Sequence, residues 1–351
     1  MIGGRPLGGP RPFLPSASMH HIKPILVLGL DRSGTSMLTD VLSHWGCWAG
    51  DERLLAAASP LNPQGFWEYK PVQHFLVELF AATGTGWWSA EFRPALRELG
   101  RSPAFRERAQ RLVSEMEVAG RPWVWKEPLV SVSLPFWQQV CRDPIYMITL
   151  RNPYLSALSY QSYLVPTELQ GSFRTIAYFL LRWQFFMRCI LEDTAGTNAM
   201  FIAYEDLLGA PAESCRRISD HLGRELGAPG DAADRIRRMA ARIDPKLWRQ
   251  RSALSLDEVA EASPEQKELY ACLSRRAQGV TAEIDLARFP MPACFEEYAL
   301  NVESLRDVLA MRGLAANAAP RQPPAPAGFP ESPPRLPPRP RRDAAARLPR
   351  G

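Results

Sequence analysis

Apolar residues along this chain gather in short runs that do not alternate with polar ones, separated by longer stretches in which they return every three or four positions. Ile25-Leu-Val-Leu28 is the first such run. Without alternation it suits a strand buried on both faces of a parallel sheet, and Gly29 ends it. Met37, Leu38, Val41, Leu42 and Trp45 then recur at helical spacing, with Gly46 placed as a C-terminal stop. Further strands read at Trp123 to Trp125, Ile145 to Leu150 and Ala199 to Ala203, with helical patterns between them, notably Phe173 to Glu192. From about Gly209 to Leu314 the pattern is mostly helical and rich in Ala and Arg. Alternating strand and helix units predict an α/β fold of three αβα layers around a central parallel sheet, with a mostly helical C-terminal portion. In such sheets ligands bind beyond the carboxyl ends of the strands. The residues to watch are therefore Asp31 to Ser36, Lys126-Glu-Pro128, Arg151-Asn-Pro153 and Tyr204-Glu-Asp206.

Composition changes this picture at the ends. The chain has 351 residues, 46% hydrophobic and 23% charged, enough for a sizeable core, and its 33 prolines concentrate towards the termini. Ala315 to Gly351 holds 11 prolines, seven arginines and two acids with few large apolar side chains, a composition unable to bury the surface that folding requires. Residues 1–22 are rich in Gly and Pro and lack the apolar stretch of a secretion signal. The expected organisation is a disordered extension over 1–22, one folded domain over 23–314 and a disordered Pro/Arg-rich tail over 315–351. The tail's surplus of five positive charges equals the whole formal net charge of +5. Basicity thus belongs to the ends: it argues against a nucleic-acid-binding body and leaves the tail as a solvated linker that can contact an acidic partner. Six widely spread cysteines without a CxxC pair read as reduced core thiols rather than a zinc site or disulfide framework. The longest apolar stretch, Ile176 to Leu191, is broken by Arg182 and Arg188, so no transmembrane segment is expected and a cytoplasmic protein is.

The candidate chemistry starts at Gly29-Leu-Asp-Arg-Ser-Gly-Thr-Ser36, a glycine-rich turn running into a helix, with the spacing of a phosphate-binding P-loop. Its backbone N–H groups converge at the positive end of the helix dipole, where an anion of phosphate size fits. A nucleotidase keeps a lysine where Thr35 stands and an aspartate at the end of a second strand to hold magnesium; the strand Ile145 to Leu150 ends instead in Arg-Asn-Pro. Both supports of a metal-bound triphosphate are missing, which predicts a compact 5′ anion bound without a metal, with Arg32 adding positive charge. A second element, Arg151-Asn-Pro-Tyr-Leu-Ser-Ala-Leu-Ser159, sets an arginine at a strand end, Asn152 as helix N-cap and Pro153 at the first helical position. Ser156 and Ser159 share a helical face, so one of them can join Arg151 around a second phosphate.

At these two elements the chain resembles the sulfotransferases that use 3′-phosphoadenosine 5′-phosphosulfate (PAPS). "GLDRSGTS" is similar to their 5′-phosphosulfate loop in its bacterial and tyrosylprotein form, and "RNPYLSALS" to their 3′-phosphate element. "WVWKEP" resembles a Lys-Asp-Pro segment with Glu127 in place of the usual Asp, "AYEDL" a segment following a later strand, and "NPQGFWE" an Asn-Pro-x-Gly-x-x-Glu segment of bacterial members. The likeness runs over roughly Ile25 to Leu208. It stops short of the Arg-Lys-Gly segment of the cytosolic members, for which Lys246 to Arg251 is the substitute candidate.

The resemblance implies a P-loop-like fold and sulfuryl transfer from PAPS to a hydroxyl or amine of a glycan, lipid or small metabolite. The cofactor-binding residues are then Arg32, Ser33, Gly34, Thr35, Ser36, Arg151 and Ser159, and the catalytic ones Arg32, Lys126 and Glu68, with no metal ligand. Glu68 is the general base, with Glu52 and His74 as fallbacks. Asp40 and His44 read as solvent-facing, Trp87-Trp88 as packing before a sugar-stacking platform, and Asp206 as the cap of a following helix. A diverged P-loop phosphotransferase and a non-catalytic nucleotide-binding module are the alternatives.

Overall fold

The computed structural model describes residues 22–58, 62, 65–163, 176–227, 232–247, 254–280 and 283–292. The expected N-terminal extension up to residue 21 and the Pro/Arg-rich tail lie outside them, as do Cys294 and most of the Lys246 to Arg251 segment. Four strands, β1 (Pro24–Leu28), β2 (Trp123–Lys126), β3 (Ile145–Leu150) and β4 (Met200–Ala203), form one parallel sheet in the order β2-β1-β3-β4. Each strand expected from the apolar runs is present, within a residue or so of its expected ends. β1 pairs with β2 from Pro24 opposite Trp123 to Val27 opposite Lys126, and with β3 from Ile25 opposite Ile145 to Leu28 opposite Ile148. The chain leaves β1 for one side, then crosses back to the other. That reversal beside β1 is the topological switch point where a parallel sheet opens a crevice.

Eleven α-helices are described: α1 (Thr35–Trp45), α2 (Lys70–Ala82), α3 (Phe92–Arg101), α4 (Pro103–Glu117), α5 (Val130–Trp137), α6 (Pro153–Tyr163), α7 (Ile176–Asp193), α8 (Tyr204–Gly209), α9 (Pro211–Leu226), α10 (Ala232–Ala240) and α11 (Pro264–Ala277). Side chains alternate across a strand, and the sheet sorts them into two cores. Leu26, Leu28, Trp123, Trp125, Tyr146 and Ile148 pack with α2 to α5, α7 and α11. Ile25, Val27, Val124, Ile145 and Met147 pack with α1 and α8 to α10. Every residue of β1, β2 and β3 is buried, which is why these runs carry no polar alternation. Trp125 and Trp137 meet edge to face at 5.3 Å, and a fully buried ring of this size stabilises the fold by roughly 1.5–3 kcal/mol. No helix among the described residues is long and apolar enough to cross a membrane. Cys47, Cys141, Cys189 and Cys215 are buried free thiols.

One ion pair ties the layers of the larger core. Arg93 of α3 donates from Nη1 to Asp193 Oδ2 at 2.9 Å and from Nη2 to Oδ1 at 2.6 Å, at the end of α7. Burial pushes the Asp193 carboxyl up, and the Arg93 hydrogen bonds oppose it. Arg93→Ala strands a carboxylate whose side chain is 5% exposed, and the expected cost is about 3–5 kcal/mol. Equilibrium urea unfolding checks it: the midpoint drops sharply, and combining the change with Asp193→Asn restores much of the loss.

Two expectations need correction. Asp40 does not face solvent: it is 1% exposed and accepts from Arg242 Nε at 3.3 and 3.2 Å. Burial pushes its carboxyl up against the pull of Arg242. The partner lies 202 positions along the chain, beyond the reach of helical periodicity. His44 is half-buried, its Nδ1 3.0 Å from the Asp40 carbonyl oxygen. Asp206 caps no following helix either; it lies in the first turn of α8, and α9 has Ala210 as its N-cap, without a side-chain cap.

Candidate active site

The loop between β1 and α1 is held by a buried hydroxyl network. Ser33 Oγ donates to Leu30 O and meets Thr149 Oγ1 at 2.8 Å, while Gly29 N–H donates to Ser131 Oγ at 3.0 Å. Gly29, at φ 146°, admits no side chain, because a Cβ there would stand 2.4 Å from Thr149 Oγ1. Gly34, left-handed at φ 98°, is the N-cap of α1 and supplies no capping side chain. Leu38 N–H makes the first helical bond, to Gly34 O. The N–H groups before it belong to the uncapped first turn, where an anion meets donors and dipole together. Ser33, expected to touch the ligand, is 3% exposed and bonded within the turn at both N and Oγ, so its hydroxyl braces the loop. Thr35 is buried as well, and half-buried Ser36 donates from Oγ to Phe66 O at 3.2 Å. That bond ties the loop to the segment carrying Glu68.

On the β3 side the structure brings Arg32, Arg151 and Ser159 together. Arg32 takes a left-handed φ of 65°, donates from Nε to Ser159 Oγ at 3.2 Å, and accepts at its carbonyl from Arg151 Nη1 at 2.9 Å. Arg151 is 5% exposed, with its guanidinium 4.6 Å from the centre of the Tyr204 ring. Burial pulls its pKa down, and neighbouring Arg32 lowers it further against the pull of Tyr204 and Glu205. Among the described residues it forms no ion pair with a carboxylate, and its Nε is buried without a hydrogen-bond acceptor, as is Ser156 Oγ without a partner. A buried cation and hydroxyl left in this state are costly unless an anion completes them. Asn152 caps α6 as expected, accepting from Tyr154 N–H at 3.0 Å, and its own N–H donates to Glu205 Oε1 at 3.2 Å.

On the β2 side Lys126, 3% exposed, forms an ion pair with Glu68. Gln73 of α2 donates from Nε2 to Glu68 Oε2 at 2.8 Å and to Glu127 Oε2 at 2.9 Å. Burial, and next the Glu68 charge, push the Glu127 carboxyl up. Neither fallback base joins Glu68 in this cluster: Glu52 is exposed in the 3₁₀ turn Glu52–Leu54, and His74 lines a surface groove between α2 and α4 with Arg108 and Glu115. Lys126 ends β2 and Arg151 follows β3, the strands flanking β1, so two strand spacings set them roughly 10 Å apart across the loop.

Sequence reasoning missed Gln73, Ser131 and Thr149, which carry no motif, and it undervalued Tyr204, whose ring supports Arg151 and blocks any Cβ at Gly34. It also missed the ion pair of Asp31 with Arg182 at 2.8 Å. Trp87 stands edge to face with Trp88 at 5.6 Å and with Phe185 at 5.5 Å, an aromatic packing arrangement.

Comparison with known proteins agrees with the strand-end motifs. The model of the Sulfotransferase family matches residues 24–227. Solved structures similar to the chain include the sulfotransferase domain of the olefin synthase from Synechococcus PCC 7002, at 16% identity and a TM-score of 0.38, covering 81% of this chain and 96% of that one. A sulfotransferase domain from the curacin biosynthetic pathway shows 15% identity and a TM-score of 0.37, covering 80% and 98%. The sulfotransferase STF9 from Mycobacterium avium shows 15% identity and a TM-score of 0.40, covering 84% and 77%. No curated protein sequence matches the chain.

Proposed function

The chain belongs to the sulfotransferase family, and from that premise we propose that it moves a sulfuryl group from PAPS to a hydroxyl or amine of a glycan, lipid or small metabolite, without a metal. The observation that carries the choice of donor is the buried Arg151 guanidinium, which lacks an acceptor at Nε among the described residues and stands one strand away from the α1 N-terminus. A nucleotide with phosphates at both its 3′ and 5′ positions completes both anion sites; one with a 5′ phosphate alone leaves the second vacant.

PAPS supplies the sulfuryl group and a bisphosphate leaving group. The backbone N–H groups at the start of α1, with Gly34 providing the turn and Thr35 and Ser36 its first residues, hold the 5′ end. Arg151 with Ser159 or Ser156 holds the 3′ phosphate, and charge-assisted bonds of this type are about twice as strong as neutral ones. Arg32 links the two sites in this reading: its carbonyl fixes Arg151, its Nε bonds Ser159, and its charge opposes the negative charge growing on the departing oxygen. Lys126 performs the same service from the β2 side. Glu68 takes the acceptor's proton, being the carboxylate paired with Lys126 and 17% exposed.

Incubation with sulfur-labelled PAPS and a broad pool of hydroxyl- and amine-bearing acceptors tests this reading. Transfer of label that depends on the enzyme and persists in excess chelator supports it. Tight nucleotide binding with no label transferred to any acceptor contradicts it.

A further inference from the structure

Gln73 belongs to neither strand-end motif, yet its carboxamide touches both carboxylates of the β2 side. Only the NH2 end can face two carboxylate oxygens, since the carbonyl end would set three acceptors together. Both hydrogens of that NH2 are thereby engaged, one on Glu68 and one on Glu127. Glu68 is then gripped at each oxygen, Oε1 by Lys126 and Oε2 by Gln73. Glu127 is held by Gln73 at Oε2 and by Leu129 N–H at Oε1, at 3.3 Å. Lys126 thus pairs with Glu68, while Glu127 is held by neutral donors. Without the carboxamide between them, their repulsion would turn Glu68, the more exposed of the two, away from the strand end.

We propose that Gln73 is a positioning residue: it holds Glu68 beside Lys126 in the orientation that accepts the proton of the sulfuryl acceptor, and separates it from Glu127. The inference rests on the role given to Glu68 above. Lys126 is asked to serve an anionic donor as well as Glu68, so its hold on Glu68 weakens when the donor binds. The Gln73 bond does not depend on the donor and keeps the carboxylate in place at that moment. Displacement of a reacting group by about 1 Å costs on the order of a hundredfold in rate, so one hydrogen bond that fixes a rotamer has a large effect on turnover. Binding of the nucleotide at the α1 and Arg151 sites does not involve Gln73.

The test compares Gln73→Met, which keeps length and helix propensity while removing both donors, with Glu68→Gln in the full chain; Gln73→Leu serves as a second variant if the first folds poorly. Initial rates of label transfer from PAPS are recorded against donor concentration, and adenosine 3′,5′-bisphosphate binding is titrated alongside. Gln73→Met is expected to lower kcat by about tenfold to a hundredfold, with donor KM and bisphosphate affinity unchanged. A kcat equal to wild type in Gln73→Met while Glu68→Gln is inactive, or a loss that falls on donor KM rather than on kcat, overturns the role of Gln73 alone. Full activity in Glu68→Gln overturns the base assignment and this inference with it.

Discussion

Lys126→Ala is expected to lower kcat for sulfuryl transfer by about 10²–10³, the range for removing one preorganised charge-stabilising donor, while bisphosphate nucleotide binding changes little. Lys126 ends β2 directly beside β1, opposite Val27, and its side chain is 3% exposed. A lysine so placed would ordinarily be a liability, and Glu68 offsets it. The pair therefore serves both the fold and, in this account, the transition state. The two roles separate experimentally: a purely structural pair loses stability and turnover together in Lys126→Ala and recovers both in Lys126→Met with Glu68→Gln, whereas a pair that serves the chemistry recovers stability alone. Steady-state rates alongside thermal melting of the two variants decide the matter. Recovery of turnover together with stability would deny Lys126 any part in the chemistry.

Arg151→Met is the second large effect, and it falls on recognition. Arg151 is the cation that ends β3, buried over Tyr204 and unpaired with any carboxylate among the described residues. Hydrogen bonds to a charged group contribute about 1.5–3 kcal/mol, and each 1.4 kcal/mol is tenfold in affinity. The variant should bind adenosine 3′,5′-bisphosphate about 10- to 150-fold more weakly than wild type does. Adenosine 5′-monophosphate binding is the internal control, because Arg151 also anchors the Arg32 carbonyl. If both nucleotides weaken equally, Arg151 acts only by shaping the loop. Calorimetric titration of the two nucleotides into both proteins gives the ratio.

The four strands and the P-loop helix were legible because each is a local pattern: an apolar run without alternation, then a glycine turn, then period 3.6. The two strand-end elements proposed as anion sites stood out for the same reason, since Arg32, Gly34, Arg151 and Ser159 lie within two short segments. What escaped depends on contacts between distant segments. Asp40 read as a solvent-facing helix residue until Arg242 was seen beside it. The inward bond of the Ser33 hydroxyl depends on Thr149, 116 positions away. Gln73 lies in an amphipathic helix where a polar residue is unremarkable, and only tertiary packing shows that it faces two acids. His74, one residue on, is turned to a surface groove, so helical phase alone sorts the two once the direction of the site is known.

In this reading the fold grips a nucleotide by two of its phosphates, one at the start of α1 and one at the Arg151 cluster. Titration of the wild-type chain with adenosine 3′,5′-bisphosphate and with adenosine 5′-monophosphate, each with magnesium and with excess chelator, tests it most directly. The bisphosphate is expected to bind at least about tenfold more tightly, with magnesium making no difference to either. Equal affinity for the two nucleotides, or binding that appears only when magnesium is added, would contradict it.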